Sequence, residues 1–265
     1  MFFFNHGQEV SKMNSYKTHF NSFCYLCCKF SNFLSGFRLT PYQMINWLKF
    51  TGLLSARLSL DLPGIDAQLT MAPVHRINDI KSGLQSNDSV KSSVLILLYP
   101  AGESIKTVVM LRPSYDGVHS GQISLPGGKW ETSDNDMSTT ALRETFEEIG
   151  VPPFKIRLIG HLSPLYIPPS NYIVFPYVGI TEIKPEFLTD PAEVQELIEI
   201  DISELLNKET CTTRKITFKD GTFLDVPCYT FGETIIWGAT AMILSEFLAL
   251  LENIALTGIV SESHE

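Results

Sequence analysis

The chain has 265 residues, 44% hydrophobic and 18% charged, and a net charge of −9 from 20 Lys/Arg against 29 Asp/Glu. That apolar fraction can bury a real core and excludes collagen, coiled coil and wholesale disorder. The acidic balance argues against nucleic acid as a partner, since phosphate binding needs a cationic footprint. No apolar run reaches the roughly 18 residues of a spanning helix, so no stable membrane insertion is expected.

The average conceals two compositions. Residues 1–43 hold eight of the 17 Phe and three of the five Cys. With four Lys/Arg against one Glu this stretch is +3, leaving −12 for the other 222 residues. Its opening, MFFFNHGQEV, lacks a signal peptide's basic start, apolar middle and small-residue cleavage site. Phe23 to Phe37 is apolar, but Lys29 interrupts it, and no clean helical periodicity marks a membrane-surface helix. Cys24, Cys27 and Cys28 have no second Cys or His pair at finger spacing, and a structural zinc site wants four ligands. Residues 1–43 are therefore expected to be an atypical extension, either a disordered arm or sequence upstream of a true start at Met44. An organelle or membrane anchor is the competing reading. The folded domain is expected over 44–255, with a tail at 256–265. Cys211 and Cys228 show no pairing logic and fit a reduced, cytoplasmic protein.

From Met44, MINWLKFTGLLSARLSL reads as an amphipathic first helix that also offers an interface for a homodimer. Leu62-Pro63-Gly64 is a turn signal, and residues 65–92 read as polar and irregular. Ser93–Tyr99 is the near-continuous apolar run of a strand buried on both faces. Pro100 to Ser104 breaks it, and Thr107–Leu111 completes a hairpin. Gln122–Leu125 is a third short strand, followed by a Gly-rich turn at Pro126-Gly127-Gly128. Residues 138–149 are helical. Lys155–Leu162 and Tyr172–Ile180 are strands flanking a Pro-rich loop at 164–169. Glu193–Glu199 alternates as a strand, and Ile202–Leu206 is a short helix. Arg214–Lys219 and Thr222–Thr230 form a hairpin around Asp220-Gly221, a favoured two-residue turn. Ile235–Trp237 is a last strand, with Trp237 packing at the base of a closing helix, Gly238–Asn253. Mixed strands with a few helices predict an α/β (α+β) fold, a mixed-sheet sandwich flanked by α-helices.

The sharpest feature lies on the helix at 138–149. With Glu144 at 0° on a wheel of about 100° per residue, Glu147 falls near −60° and Glu148 near +40°. Leu142, Phe146 and Ile149 take the opposite, apolar face, which is expected to bury. Like charges at i, i+3 and i+4 repel, so the arrangement points to a compensating cation. Hard carboxylate oxygens suit Mg²⁺ or Mn²⁺, which leave positions open for water and phosphate. A solvated acidic face is the plainer alternative. Context favours the cation: the Gly-rich turn, an acidic loop (Glu131, Asp134, Asp136) and the carboxylate helix together suit a metal and phosphate site. Asp134 and Asp136 fit the positive end of that helix, and Gly150 is placed to end it. Arg143, near −100°, falls beside Glu147.

The segment GGKWETSDNDMSTTALRETFEEIGV resembles a Nudix box, the signature of hydrolases that cleave a nucleoside diphosphate linked to another group. Gly128, Arg143, Glu144, Glu147, Glu148 and Gly150 match. The middle glutamate of the box is replaced, with Asp134 nearest, and the Gly-to-Arg interval is one residue longer. That interval resembles the coenzyme A pyrophosphatase branch, as does Leu111-Arg112-Pro113 through His119-Ser120-Gly121-Gln122 to Pro126-Gly127-Gly128. Gly117 stands where that branch's signature carries an arginine, Pro113 replaces its small residue and Met110 its Thr. The resemblance runs over roughly residues 44–252.

The resemblance implies a Nudix fold and a metal-dependent enzyme, with Mg²⁺ or Mn²⁺ held by Glu144, Glu147 and Glu148 and by the Gly127 carbonyl. Glu144 is alternatively the base. Arg143 would orient the carboxylates, and Glu193 would be a late-arriving ligand or base from a downstream loop. Arg112, Lys129, Gly128 and His119 are candidates for substrate contacts. The implied reaction splits coenzyme A to 4′-phosphopantetheine and adenosine 3′,5′-bisphosphate. The alternatives are another small-molecule diphosphate (ADP-ribose, NADH or a nucleoside triphosphate) and a non-catalytic ligand-binding module, against which the retained carboxylates argue.

Overall fold

The computed structural model describes residues 47–83, 88–102, 104–113, 121–217 and 221–261. All of them lie in one unit, Ile45–Glu265. The readings on residues 1–43, Gly117 and His119 fall outside the described residues.

The first element among the described residues is α1 (Trp47–Leu58), which buries Thr51, Leu54 and Leu58. The described residues of the stretch 65–92 are not irregular as expected. They form α2 (Gly64–Leu69), a 3₁₀ turn at Val74–Arg76 and α3 (Ile77–Gly83). These pieces are too short for a 3.6-residue period to show, yet Gln68, Met71, Ala72 and Ile80 are all buried.

Strands β1 (Val90–Ala101) and β2 (Ser104–Leu111) form the expected hairpin, with Ala101 opposite Ser104. Around β1 the chain adds β3 (Ile123–Ser124), β4 (Gly127–Lys129), β5 (Arg157–His161), β6 (Leu165–Ile167), β7 (Tyr172–Ile180) and β8 (Glu196–Asp201). Together they make one eight-stranded mixed sheet. β1 runs parallel to β7, and β2 is antiparallel to both β3 and β8. The run Leu95–Tyr99 is fully buried because β1 is central and covered on both faces. Leu95, Leu97 and Tyr99 enter one core with Met110, Ala141 and Ile149. Ile96 and Leu98 enter the other with Leu54, Val178 and Phe247.

Several local expectations are corrected. Gly127-Gly128 is a strand paired with Val94 and Ser93, not a turn. Residues 165–167, inside the Pro-rich loop, pair with β7. The strand expected from Glu193 starts at Glu196, and Glu193 itself sits in a turn.

A second sheet is three-stranded and antiparallel: β9 (Cys211–Thr217), β10 (Phe223–Phe231) and β11 (Thr234–Trp237). Its first hairpin pairs Thr217 with Phe223, and the expected Asp220-Gly221 turn falls in part outside the described residues. Neither Cys211 nor Cys228 forms a disulfide. Between β8 and β9 along the chain comes α5 (Ile202–Leu205), and the last described element is α6 (Gly238–Ser261), longer than the expected 238–253. Helix α6 carries a fully buried acid, Glu246, which accepts from the Gly64 and Ser163 N–H groups and from Gln68 Nε2 at 2.7–3.2 Å. Among the described residues, no helix is long and apolar enough to cross a membrane.

Candidate active site

The site is built on α4 (Met137–Ile149), which packs on β1 and β4. Asp136 caps its start, accepting from the Thr139 N–H at 2.8 Å, as an N-cap aspartate does. Gly150 ends it at φ 74°, a left-handed conformation that glycine adopts without strain. A Cβ at Gly150 would also lie 2.6 Å from the Leu188 carbonyl oxygen. The glycine therefore lets the 188–193 segment close on the helix end. There, Leu188 N–H donates to the Ile149 carbonyl and Asp190 N–H to the Glu148 carbonyl, each at 3.0 Å.

That closure brings Glu193 over the helix. Glu144, Glu148 and Glu193 each offer a carboxylate oxygen within 4.8 Å of the others. They line a cavity of about 280 Å³ together with Arg112, Gly127, Gly128 and Lys129. The three differ in setting. Glu148 is 1% exposed, Glu144 is half-buried and Glu193 is exposed. Glu147 lies outside this group. It is exposed and accepts from Arg143 Nη1 at 2.8 Å.

The packed face of α4 is rotated from the wheel's expectation. Of the apolar face expected to bury, Ile149 is buried and Leu142 packs against the core, whereas Phe146 is 50% exposed; Thr140, Ala141, Thr145 and Glu148 are buried instead. Small residues thus face the sheet. Glu148 is pressed against the Gly127 peptide, whose N–H donates to Oε2 at 2.7 Å. The other oxygen, Oε1, accepts from Arg112 Nη2 at 3.2 Å. Burial pushes the Glu148 carboxyl up to about 8, against the opposing pull of Arg112 and the Gly127 N–H. Burial also raises Glu144, with Arg143 opposing.

Arg143 is the organising cation. Its Nε and Nη2 donate to the two oxygens of Asp134, each at 3.0 Å, a two-pronged pairing that fixes the guanidinium plane. Nη2 also donates to the Lys129 carbonyl, and Nη1 reaches Glu144 at 2.9 Å and Glu147. The Arg143 guanidinium holds Asp134 down at about 2. Asp134, also bonded by Thr140 and by the Glu131 N–H, is not among the converging carboxylates. The sequence placed Asp134 near the helix start, and its grip on Arg143 is what it missed.

Gly128 bears on the site through Glu144. A Cβ there would lie 2.4 Å from the Glu144 Cδ. The Gly127 carbonyl accepts from Arg112 Nη2 at 3.0 Å. The Lys129 side chain is exposed at the edge of the cavity. Beyond Gly127–Lys129 opens a larger, mainly apolar cavity of about 730 Å³. Its walls include Ile80, Val94, Leu165, Trp237, Met242 and Ile243. Trp237 thus lines this cavity at the start of α6. The cavity gave no signal in the sequence, because its wall draws on α3, β1, β6 and α6, which lie far apart along the chain.

The donor set suits a hard divalent ion: three carboxylates converge, and the most buried of them is held above the usual carboxylate range.

The NUDIX domain family model matches residues 90–219. The chain is 33% identical over 128 residues to a Nudix hydrolase NudL of Photorhabdus laumondii, covering 48% of this chain and 67% of the relative. It is 32% identical over 163 residues to Nudix hydrolase 22, chloroplastic, of Arabidopsis thaliana, covering 58% of this chain and 53% of that one. The matches thus span about half to two thirds of these relatives' length. Among solved structures, it is similar to a MutT/nudix family protein from Enterococcus faecalis, with a TM-score of 0.43 and 15% identity over 71% of this chain and 73% of that one.

Proposed function

Because the chain belongs to the Nudix family of hydrolases, we propose that it hydrolyses the diphosphate bond of a nucleoside diphosphate derivative, and that the substrate is coenzyme A or one of its derivatives. The observation that carries this reading is the convergence of Glu144, Glu148 and Glu193 beside the Gly127–Lys129 strand, at the mouth of a large apolar cavity. The substrate's diphosphate would lie along Gly127–Lys129, within reach of Arg112 and Lys129. The aliphatic pantetheine arm suits the apolar walls beyond.

Glu144, Glu148 and Glu193 would hold Mg²⁺ or Mn²⁺, with the Gly127 carbonyl and Glu147 as further candidate ligands. A divalent ion bound there supplies charge neutralisation on the diphosphate and lowers the pKa of a water. The protein's own groups do the rest. Arg143, locked by Asp134, fixes the position of Glu144. Glu144 or Glu193 accepts the proton as water adds to phosphorus and the bridging P–O bond breaks. The reading places the protein in the cytoplasm, where Cys211 and Cys228 stay as thiols.

The test is a panel of coenzyme A, ADP-ribose, NADH and nucleoside triphosphates with Mg²⁺ or Mn²⁺, the products identified by mass. The expected result is 4′-phosphopantetheine and adenosine 3′,5′-bisphosphate from coenzyme A. Glu148→Gln should lose on the order of 10²-fold in kcat. Preferential cleavage of ADP-ribose would replace the substrate assignment, and no cleavage of any diphosphate would overturn the enzyme reading.

A further inference from the structure

Arg112 closes a ring of polar contacts around the Gly127 peptide. The Gly127 N–H donates to Glu148 Oε2, Arg112 Nη2 donates to Glu148 Oε1, and the same Nη2 donates to the Gly127 carbonyl. Its Nε is tethered to Ser124 Oγ at 3.1 Å. The guanidinium therefore holds two of the oxygens assigned above to the divalent ion. Arg112 also lines both the carboxylate cavity and the large apolar one, so it stands at the passage between them.

We propose that Arg112 and the divalent cation compete for Glu148 Oε1 and the Gly127 carbonyl, and that cation binding frees the guanidinium to grip the substrate's diphosphate. The inference rests on the reading of Glu144, Glu148 and Glu193 as the cation site. Two arguments carry it. A cation drawing on Glu148 Oε1 takes a lone pair from the Arg112 N–H, and a guanidinium held beside a dication at the buried Glu148 carboxylate is repelled. A displaced Arg112 stays close by, because Ser124 tethers it, and its planar fork matches phosphate oxygens. The ion and the substrate would thus bind cooperatively: the first converts Arg112 from a ligand of the protein into a ligand of the second. The competing account is that Arg112 merely braces Glu148 and β4.

The two accounts differ in sign for Arg112→Met. Competition predicts that the variant binds Mn²⁺ tighter than the wild type in the absence of substrate, by about tenfold, the scale of one charge-assisted hydrogen bond. Its KM for the diphosphate substrate rises at the same time. A brace predicts weaker Mn²⁺ binding. Mn²⁺ affinity is read by electron paramagnetic resonance, with melting temperature as the control for folding. A second measurement uses the wild type alone: labelling of Arg112 by phenylglyoxal, followed by mass spectrometry, should rise on adding Mg²⁺ and fall again with substrate. Equal or weaker Mn²⁺ binding by a folded Arg112→Met variant overturns the proposal. If that variant does not fold, labelling that stays constant or drops with Mg²⁺ overturns it. A wild type that binds no Mn²⁺ defeats the cation site itself, a different failure.

Discussion

Gly128→Ala separates the site from the fold. The added Cβ would lie 2.4 Å from the Glu144 Cδ and Oε2 and 2.5 Å from Oε1. Ordinary carbon contacts begin at about 3.5 Å, so the carboxylate must retreat by about 1 Å. The backbone does not resist, because Gly128 is not among the glycines at positive φ. Glu144 is a flexible side chain, and its retreat threatens only the partly exposed ion pair with Arg143 Nη1 at 2.9 Å. The stability cost is therefore on the order of 1 kcal/mol or less, a few degrees in Tm for a domain of this size. Catalysis is less forgiving, since a misplacement of about 1 Å in a reacting group costs on the order of 10²-fold, or about 2.7 kcal/mol. The expected result is near-normal melting, weakened Mn²⁺ binding and kcat/KM down about a hundredfold. Gly127→Ala is the contrasting control. Its Cβ would meet the Ser93 backbone oxygen at 2.2 Å with φ at 151°, so pairing of β4 with β1 should fail and Tm collapse. A Gly128→Ala protein with wild-type kcat/KM and Mn²⁺ affinity would refute the placement of Glu144 in the working site.

Three further outcomes follow from the same geometry. Glu148 has a folded pKa near 8 against an unfolded value of 4.5, so between those values the folded state keeps a proton that the unfolded state has lost. In chelator, stability should fall by up to about 4 kcal/mol as pH rises from 5 to 8, and Mg²⁺ should raise Tm more at pH 8 than at pH 6; a Tm that climbs over this range without metal contradicts the burial argument. Glu246→Ala leaves the Gly64 and Ser163 N–H groups without their acceptor and Gln68 Nε2 with only the Ser163 carbonyl, at a cost of about 3 kcal/mol or more by urea denaturation; a change under about 1 kcal/mol would mean that water replaces the carboxylate. Asp134→Ala releases both prongs of Arg143, and kcat should drop by roughly ten- to a hundredfold with Glu144, Glu147 and Glu148 intact; unchanged kcat would remove Arg143 from any positioning role.

The strands were legible where burial is two-sided and long. Tyr172–Ile180 coincides with the expected strand, and Ser93–Tyr99 lies within β1. The helix ends were legible because Asp136 and Gly150 are chemical punctuation marks. The elements at 64–83 were not, because one- and two-turn helices are held by tertiary contacts rather than by a period of their own. Glu193 could be named from the sequence, but its place could not. It depends on Gly150 admitting Leu188 to the helix end, a contact between segments that no local pattern encodes.

The rotation of α4 shows why the carboxylates could be found and yet be misjudged in exposure. A wheel ranks faces by hydrophobicity, which turns Phe146 inward and all three glutamates outward. What decides the face, however, is how closely the helix backbone can approach β1 and β4. Ala141 and Thr145 permit a close approach; a phenylalanine there would hold the helix away. That proximity lets Glu148 reach the Gly127 N–H at 2.7 Å and forces its carboxylate out of water. The resulting cost is visible in its raised pKa, and a bound cation offsets such a cost by favouring the charged form. The same packing contact thus fixes the fold and creates the demand for positive charge at the site. In this structure Arg112 meets part of that demand.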